Sequence, residues 1–163
     1  MKKIMSWDEA EAQAEEYRKQ GKTIAFSNGC FDIVHAGHVT YLQAVKKEAD
    51  VLFLGLNSDR SVGEIKGPLR PVVSENDRAC VVAALACVDH VVIFDQPDPE
   101  KLIHGIKPDI LAKGADWAEA DIIGGDFVKS RGGRVARIKL EPGISTTTII
   151  NRIGKTIFNA DIE

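Results

Sequence analysis

Residues 23–47 read TIAFSNGCFDIVHAGHVTYLQAVKK. TIAFS, at 23–27, is a short apolar run of strand type, while Val39, Leu42 and Val45 recur at helical spacing. Between them lies SNGCFDIVHAGH, a glycine-bearing loop with two imidazoles, His35 and His38. A strand that feeds a helix through such a loop is the opening unit of a βαβ crossover.

The same alternation extends outward. Ser6 followed by Glu9 is a capping-box pattern, and a polar helix over about 7–20 ends at Gly21. VLFLGLN at 51–57 is continuous enough for a strand covered on both faces. Ser74 caps a helix through ENDRACVVAALAC, on which Cys80, Ala84 and Cys87 are expected in the core. DHVVIFD, DILAK and RVARIKL read as strands, PEKLIHGI as a short helix, and STTTIINRI as a hydroxyl-capped helix. The longest irregular piece is VGEIKGPLRPVV, residues 62–73. These elements predict a single α/β Rossmann-like domain over 1–163, a parallel sheet with helices on both faces.

Composition narrows the function. With 163 residues, 44% of them hydrophobic, the chain can bury one substantial core. A net charge of -3 and a pI near 5.8 argue against a broad grip on nucleic acid. Three unpaired-looking cysteines suggest reduced thiols in a cytoplasm rather than a disulfide framework. No signal-peptide pattern and no apolar run of membrane length is visible, so a membrane partner is not expected.

In such folds, ligands bind beyond the carboxyl ends of the strands, commonly at the loop after the first one. Gly29 allows close backbone approach, and Gly37 and His38 lie where the next helix begins, with free amides suited to phosphate. Spacing of three sets His35 and His38 on neighbouring positions if that turn is helical. A metal pair, two structural histidines and an anion-binding pair are the readings open to them. Phosphate or transition-state binding suits imidazole best, because it donates whether charged or neutral. No third metal ligand is evident.

GCFDIVHAGH resembles the signature of the cytidylyltransferase-like nucleotidyltransferases, whose His-x-Gly-His motif binds a triphosphate. The similarity continues through NSD at 57–59, KGPLRPV at 66–72, Arg78, KGADW at 113–117 and GISTTTII at 143–150. Within that family the chain resembles the adenylyltransferase domain of bacterial ADP-heptose synthesis; a monofunctional version, without the sugar kinase often fused to that domain, is the expectation. The resemblance implies transfer from ATP to D-glycero-β-D-manno-heptose 1-phosphate, with Mg²⁺ accompanying the nucleotide and no dedicated protein metal cage. It implies His35, His38, Lys66 and Arg78 as the catalytic group, with Arg70 a weaker candidate. Asn28, Gly29, Cys30, Phe31, Gly37, Ser145, Thr146 and Thr147 would meet the nucleotide. Asp32, Lys113, Gly114, Asp116 and Trp117 would meet the sugar phosphate, Asp32 orienting either that partner or the motif backbone. A homodimer is common among such members.

No serine nucleophile elbow or histidine-activated cysteine signature is present, in keeping with direct transfer, and Cys30 reads as a small residue under a tight loop. Enzymes using CTP resemble RTEGIST where this chain has KLEPGIST, with Leu140 at the nominal arginine. That departure weakens a cytidylyltransferase of glycerol 3-phosphate or another phosphate ester as the alternative. A catalytically idle nucleotide-binding domain is the alternative of another class.

Overall fold

A computed structural model describes residues 3–139 and 143–158. In chain order the elements are β1 (Ile4–Met5), α1 (Trp7–Lys19), β2 (Ile24–Gly29), α2 (Ala36–Lys46), β3 (Val51–Asn57), α3 (Asp59–Lys66), α4 (Glu75–Ala84), β4 (His90–Phe94), α5 (Glu100–Ile106), β5 (Ile110–Gly114), α6 (Gly125–Ser130), β6 (Arg134–Ile138) and α7 (Thr146–Phe158). A short 3₁₀ turn, Glu119–Asp121, precedes α6. The strands form one six-stranded, all-parallel sheet in the order β1-β4-β3-β2-β5-β6. The Rossmann-like α/β reading therefore holds.

Alternation along the strands explains why they read as continuous apolar runs. Ala25, Leu52, Leu54 and Leu56 face a core with Leu42 and Val45 of α2 and Ala79 and Val82 of α4. Phe26, Phe53, Val92 and Leu111 face the opposite core, with Ala10 and Ala14 of α1 and Leu102, Ile103 and Ile106 of α5. Both sheet faces are thus covered, as a parallel sheet requires. Each fully buried Leu or Phe contributes roughly 1.5–3 kcal/mol.

The capping box of α1 forms as expected: the Glu9 amide donates to Ser6 Oγ at 3.2 Å and the Ser6 amide to Glu9 Oε2 at 2.7 Å. Three expectations need correction. The irregular piece 62–73 is helical at its start, because Ser58 caps α3 by accepting from the Ser61 amide at 3.1 Å and Gly67 turns left-handed after Lys66. Helix α4 stops at Ala84 instead of running through Cys87, since Leu85 turns to extended backbone. Its buried positions are Arg78, Ala79 and Val82, while Cys80 and Ala84 are exposed and Cys87 is half-buried. Among the described residues no helix is long and apolar enough to cross a membrane.

Candidate functional site

The strand order reverses at β2, which has β3 on one side and β5 on the other. The carboxyl ends of these three strands open onto a cavity of about 600 Å³. Asn28 and Gly29 of β2, Asn57 of β3, and Lys113 and Gly114 of β5 line it. So do Cys30, Phe31, Asp32, His35, Gly37, His38, Lys66, Arg70, Asp116, Trp117, Ser145, Thr146 and Thr147. Of the candidate site residues, all of them described, Arg78 alone is off the cavity wall.

His35 is the N-cap of α2, in extended backbone with φ −137° and ψ 173°. Its ring stacks on that of His38, centroids 3.9 Å apart and planes 23° apart. His38 Nδ1 accepts a long hydrogen bond from the His35 amide at 3.4 Å, so the neutral ring carries its proton on Nε2. The His35 side chain occupies the capping position over α2 without a formed bond, and its buried Nδ1 has no partner among the described residues. Gly37 leaves room beside the stack: a Cβ there would lie 3.1 Å from the His35 ring and 3.1 Å from Ile144, a tight fit that would make those side chains shift. Burial, and then the neighbouring His35, push His38 down to about 4; burial lowers His35 as well. Both rings are neutral donors near pH 7.

The loop before them is strained. Phe31 and Ile33 have φ of 47° and 52°, the left-handed region that costs a non-glycine residue on the order of 1–2 kcal/mol. Between them, buried Asp32 ties three segments together. Its carboxylate accepts from the amides of Val72 at 2.9 Å and Val73 at 3.0 Å and from Arg70 Nε at 2.7 Å. Its carbonyl accepts from Thr146 Oγ1 at 2.6 Å. Burial alone would raise this carboxyl, but those bonds hold it below the usual carboxylate range. Both carboxylate oxygens are thereby engaged with residues 70–73, which suits orientation of the motif backbone.

The cations differ in placement. Lys66 is exposed at the end of α3 and not on an irregular loop. Lys113 Nζ sits 5.5 Å from the Trp117 ring centroid, and burial pushes it down to about 8. Arg78 is only 1% exposed and donates to the carbonyls of Val73 at 2.9 Å and of Cys30, and to Asp59 Oδ1 at 2.7 Å. Burial pushes the Cys30 thiol up against the pull of Lys66, Arg78 and Arg70, keeping it protonated. Ser145 caps α7 by accepting from the Thr148 amide at 3.0 Å. Leu140 lies outside the described residues.

The site assignment from the sequence does not include Tyr41, Pro97–Pro99 and Asp121–Ile123, nor Asn57 and Ile65, which sit in the quoted NSD motif and in the 62–73 segment; all of these line the cavity. Tyr41 follows His38 by one helical turn, a spacing that could have found it; its hydroxyl pairs with Ser27 at 2.8 Å. Pro97–Pro99 and Asp121–Ile123 lie far along the chain and carry no local signal. Among the described residues no three His, Cys, Asp or Glu side chains gather to hold a metal.

Residues 26–152 match the model of the Cytidylyltransferase-like family. The chain is 52% identical over 93% of its length to the Bifunctional protein HldE of Methylobacillus flagellatus. The protein of that name from Magnetococcus marinus is also 52% identical over 93% of the chain. The chain spans 31% of the length of each of these curated relatives. Among solved structures, the lipopolysaccharide core biosynthesis protein from Thermoplasma volcanium matches with a TM-score of 0.63 and 27% identity, covering 76% of this chain and 100% of that one. The pantoate-beta-alanine ligase from Francisella tularensis, at 15% identity and TM-score 0.58, shares the fold over 96% of this chain and 77% of its own.

Proposed function

The chain belongs to the cytidylyltransferase-like family, and on that premise we propose that it transfers an adenylyl group from ATP to D-glycero-β-D-manno-heptose 1-phosphate, releasing pyrophosphate and ADP-heptose. One observation carries the reading: the stacked neutral pair His35 and His38 opens α2 on the wall of a cavity that Lys66 and Lys113 also line. Such a site holds a triphosphate and a second anion together. The heptose and adenylyl parts are supported by the similarity to the bifunctional relatives and to the lipopolysaccharide biosynthesis protein.

An oxygen of the sugar phosphate attacks the α-phosphorus in line, and the bond to the pyrophosphate oxygen breaks. The acceptor oxygen is already ionised, so no side chain takes a proton, and catalysis reduces to positioning and charge stabilisation. Nε2–H of His38 and the ring of His35 donate to phosphate oxygens, joined by backbone amides around Cys30 and Phe31. Lys66, at the rim, follows the β and γ phosphates. Lys113 meets the acceptor phosphate, with Asp116 and Trp117 beside it. Ser145, Thr146 and Thr147 bracket the nucleotide from the start of α7. The magnesium ion belongs to the substrate, MgATP, and supplies charge offset between the two anions.

Pyrophosphate release with ATP or CTP against heptose 1-phosphate, glycerol 3-phosphate and other phosphate esters tests the reading. ATP with heptose 1-phosphate should give the highest kcat/KM, and excess EDTA should abolish it. Preference for CTP would return the glycerol 3-phosphate alternative, and no release with any pair would leave an idle nucleotide-binding domain.

A further inference from the structure

Arg78 is 1% exposed and does not line the cavity, yet its guanidinium reaches three separate segments around it. Nη1 donates to the carbonyl of Cys30 in the motif loop. Nε donates to the carbonyl of Val73 at 2.9 Å, and Nη2 to Asp59 Oδ1 at 2.7 Å in the first turn of α3. A guanidinium has five donors in a fixed fork, whereas an ammonium offers one nitrogen and cannot span three acceptors so arranged. What this fork fixes is unusual backbone. The residue after Cys30, Phe31, is left-handed at φ 47°, and Ile33 is again left-handed at φ 52°. Strained residues of this kind persist only when their surroundings over-determine them. Here the surroundings are Arg78 on the Cys30 carbonyl and Asp32 on the amides of Val72 and Val73. Through Asp59 the same guanidinium anchors the start of the helix that ends at Lys66.

We propose that Arg78 is a positioning residue for the transfer reaction: it keeps the left-handed turn at Phe31 formed and sets α3, so that the motif amides and Lys66 meet the triphosphate in register. It acts through the backbone and touches neither substrate. The inference rests on the adenylyl-transfer reading for its kinetic part and on geometry alone for its conformational part.

The test compares Arg78→Lys with the wild-type chain by steady-state kinetics, by melting and by alkylation of Cys30 followed by peptide mass spectrometry. Cys80, exposed on α4, serves as the internal reference. The expected result is a kcat lower by on the order of 100-fold, the scale of a misplacement near 1 Å, with the KM for ATP changed about threefold or less. Cys30 should alkylate about tenfold faster relative to Cys80, the scale of a small rise in local opening. Full kcat, or an unchanged Cys30 rate in folded protein, would overturn the proposal and make Arg78 scaffold only. Should Arg78→Lys fail to fold, Asp59→Asn takes its place, since Asp59 is half-exposed and off the cavity wall. A kcat loss of about tenfold with faster Cys30 alkylation is then expected, on the same misplacement argument, and wild-type behaviour overturns the proposal. If the wild-type chain itself releases no pyrophosphate, the adenylyl-transfer reading has failed; the alkylation rate, which needs no turnover, still decides whether Arg78 sets the loop.

Discussion

The rings of His35 and His38 lie face to face, with centroids 3.9 Å apart and planes 23° apart. Two charged imidazoles at that separation would repel by about 4 kcal/mol at an effective dielectric near 20. The pair is therefore neutral near pH 7, and His38, the more buried ring, is pushed down to about 4.

Acid stability should report that state. Because the folded value of His38 is about 4 and the ordinary one is 6.5, the unfolded chain takes up the proton first as pH falls. Stability then drops between about pH 6.5 and 4, by about 2 kcal/mol after allowance for solvent screening. Urea unfolding of the wild-type chain and of His38→Gln across that range measures it. The variant should lose less stability on acidification, and parallel profiles would contradict the neutral, desolvated ring.

ATP should reverse the shift, since phosphate charge beside the pair favours the imidazolium. Calorimetric titration at pH 6 in buffers of different ionisation enthalpy should show proton uptake on binding. Heats that do not depend on the buffer would place the triphosphate away from the histidines.

Lys66 offers the contrast of an exposed side chain at the end of α3. Lys66→Ala should lower kcat/KM for ATP by about tenfold, the worth of one charge-assisted contact, and shift the melting temperature by no more than about 2 °C, because exposed cations contribute little to folding. Unchanged kinetics would make it an ordinary surface lysine.

Lys113, pushed down to about 8 by burial, should give an alkaline limb. If Lys113 meets the acceptor phosphate as proposed, its deprotonation removes that charge, and kcat/KM for the sugar phosphate should fall above about pH 8. Lys113→Gln should raise the acceptor KM and abolish the limb. A limb that survives in the variant belongs to another group.

The fold is legible in the sequence where burial is two-sided. Leu52, Phe53 and Leu54 alternate between the two cores, and their run of apolar residues reads directly as a covered strand. Helix α3 is harder to read, because Gly63 and the following Gly-Pro weaken the pattern although Ser58, Asp59 and Gly67 are ordinary boundary residues. The cavity lining is largely legible through its motifs. The burial of Arg78 is not, because the carbonyls of Cys30 and Val73 that receive it have no signature in the sequence. A linear reading leaves Asp32 open between the sugar phosphate and the motif backbone, and only the folded chain brings Val72, Val73 and Arg70 onto its oxygens.

The central claim, that His35 and His38 act on the charge of the departing pyrophosphate, is tested most directly by turnover and ATP affinity measured together on His35→Ala and His38→Ala. Loss of one preorganised donor lowers kcat by roughly 10²- to 10³-fold. Each variant should fall in that range while staying folded and binding ATP within a few-fold of the wild-type chain, and the double variant should fall short of the product of the two losses. Near-normal kcat in both single variants would contradict the account.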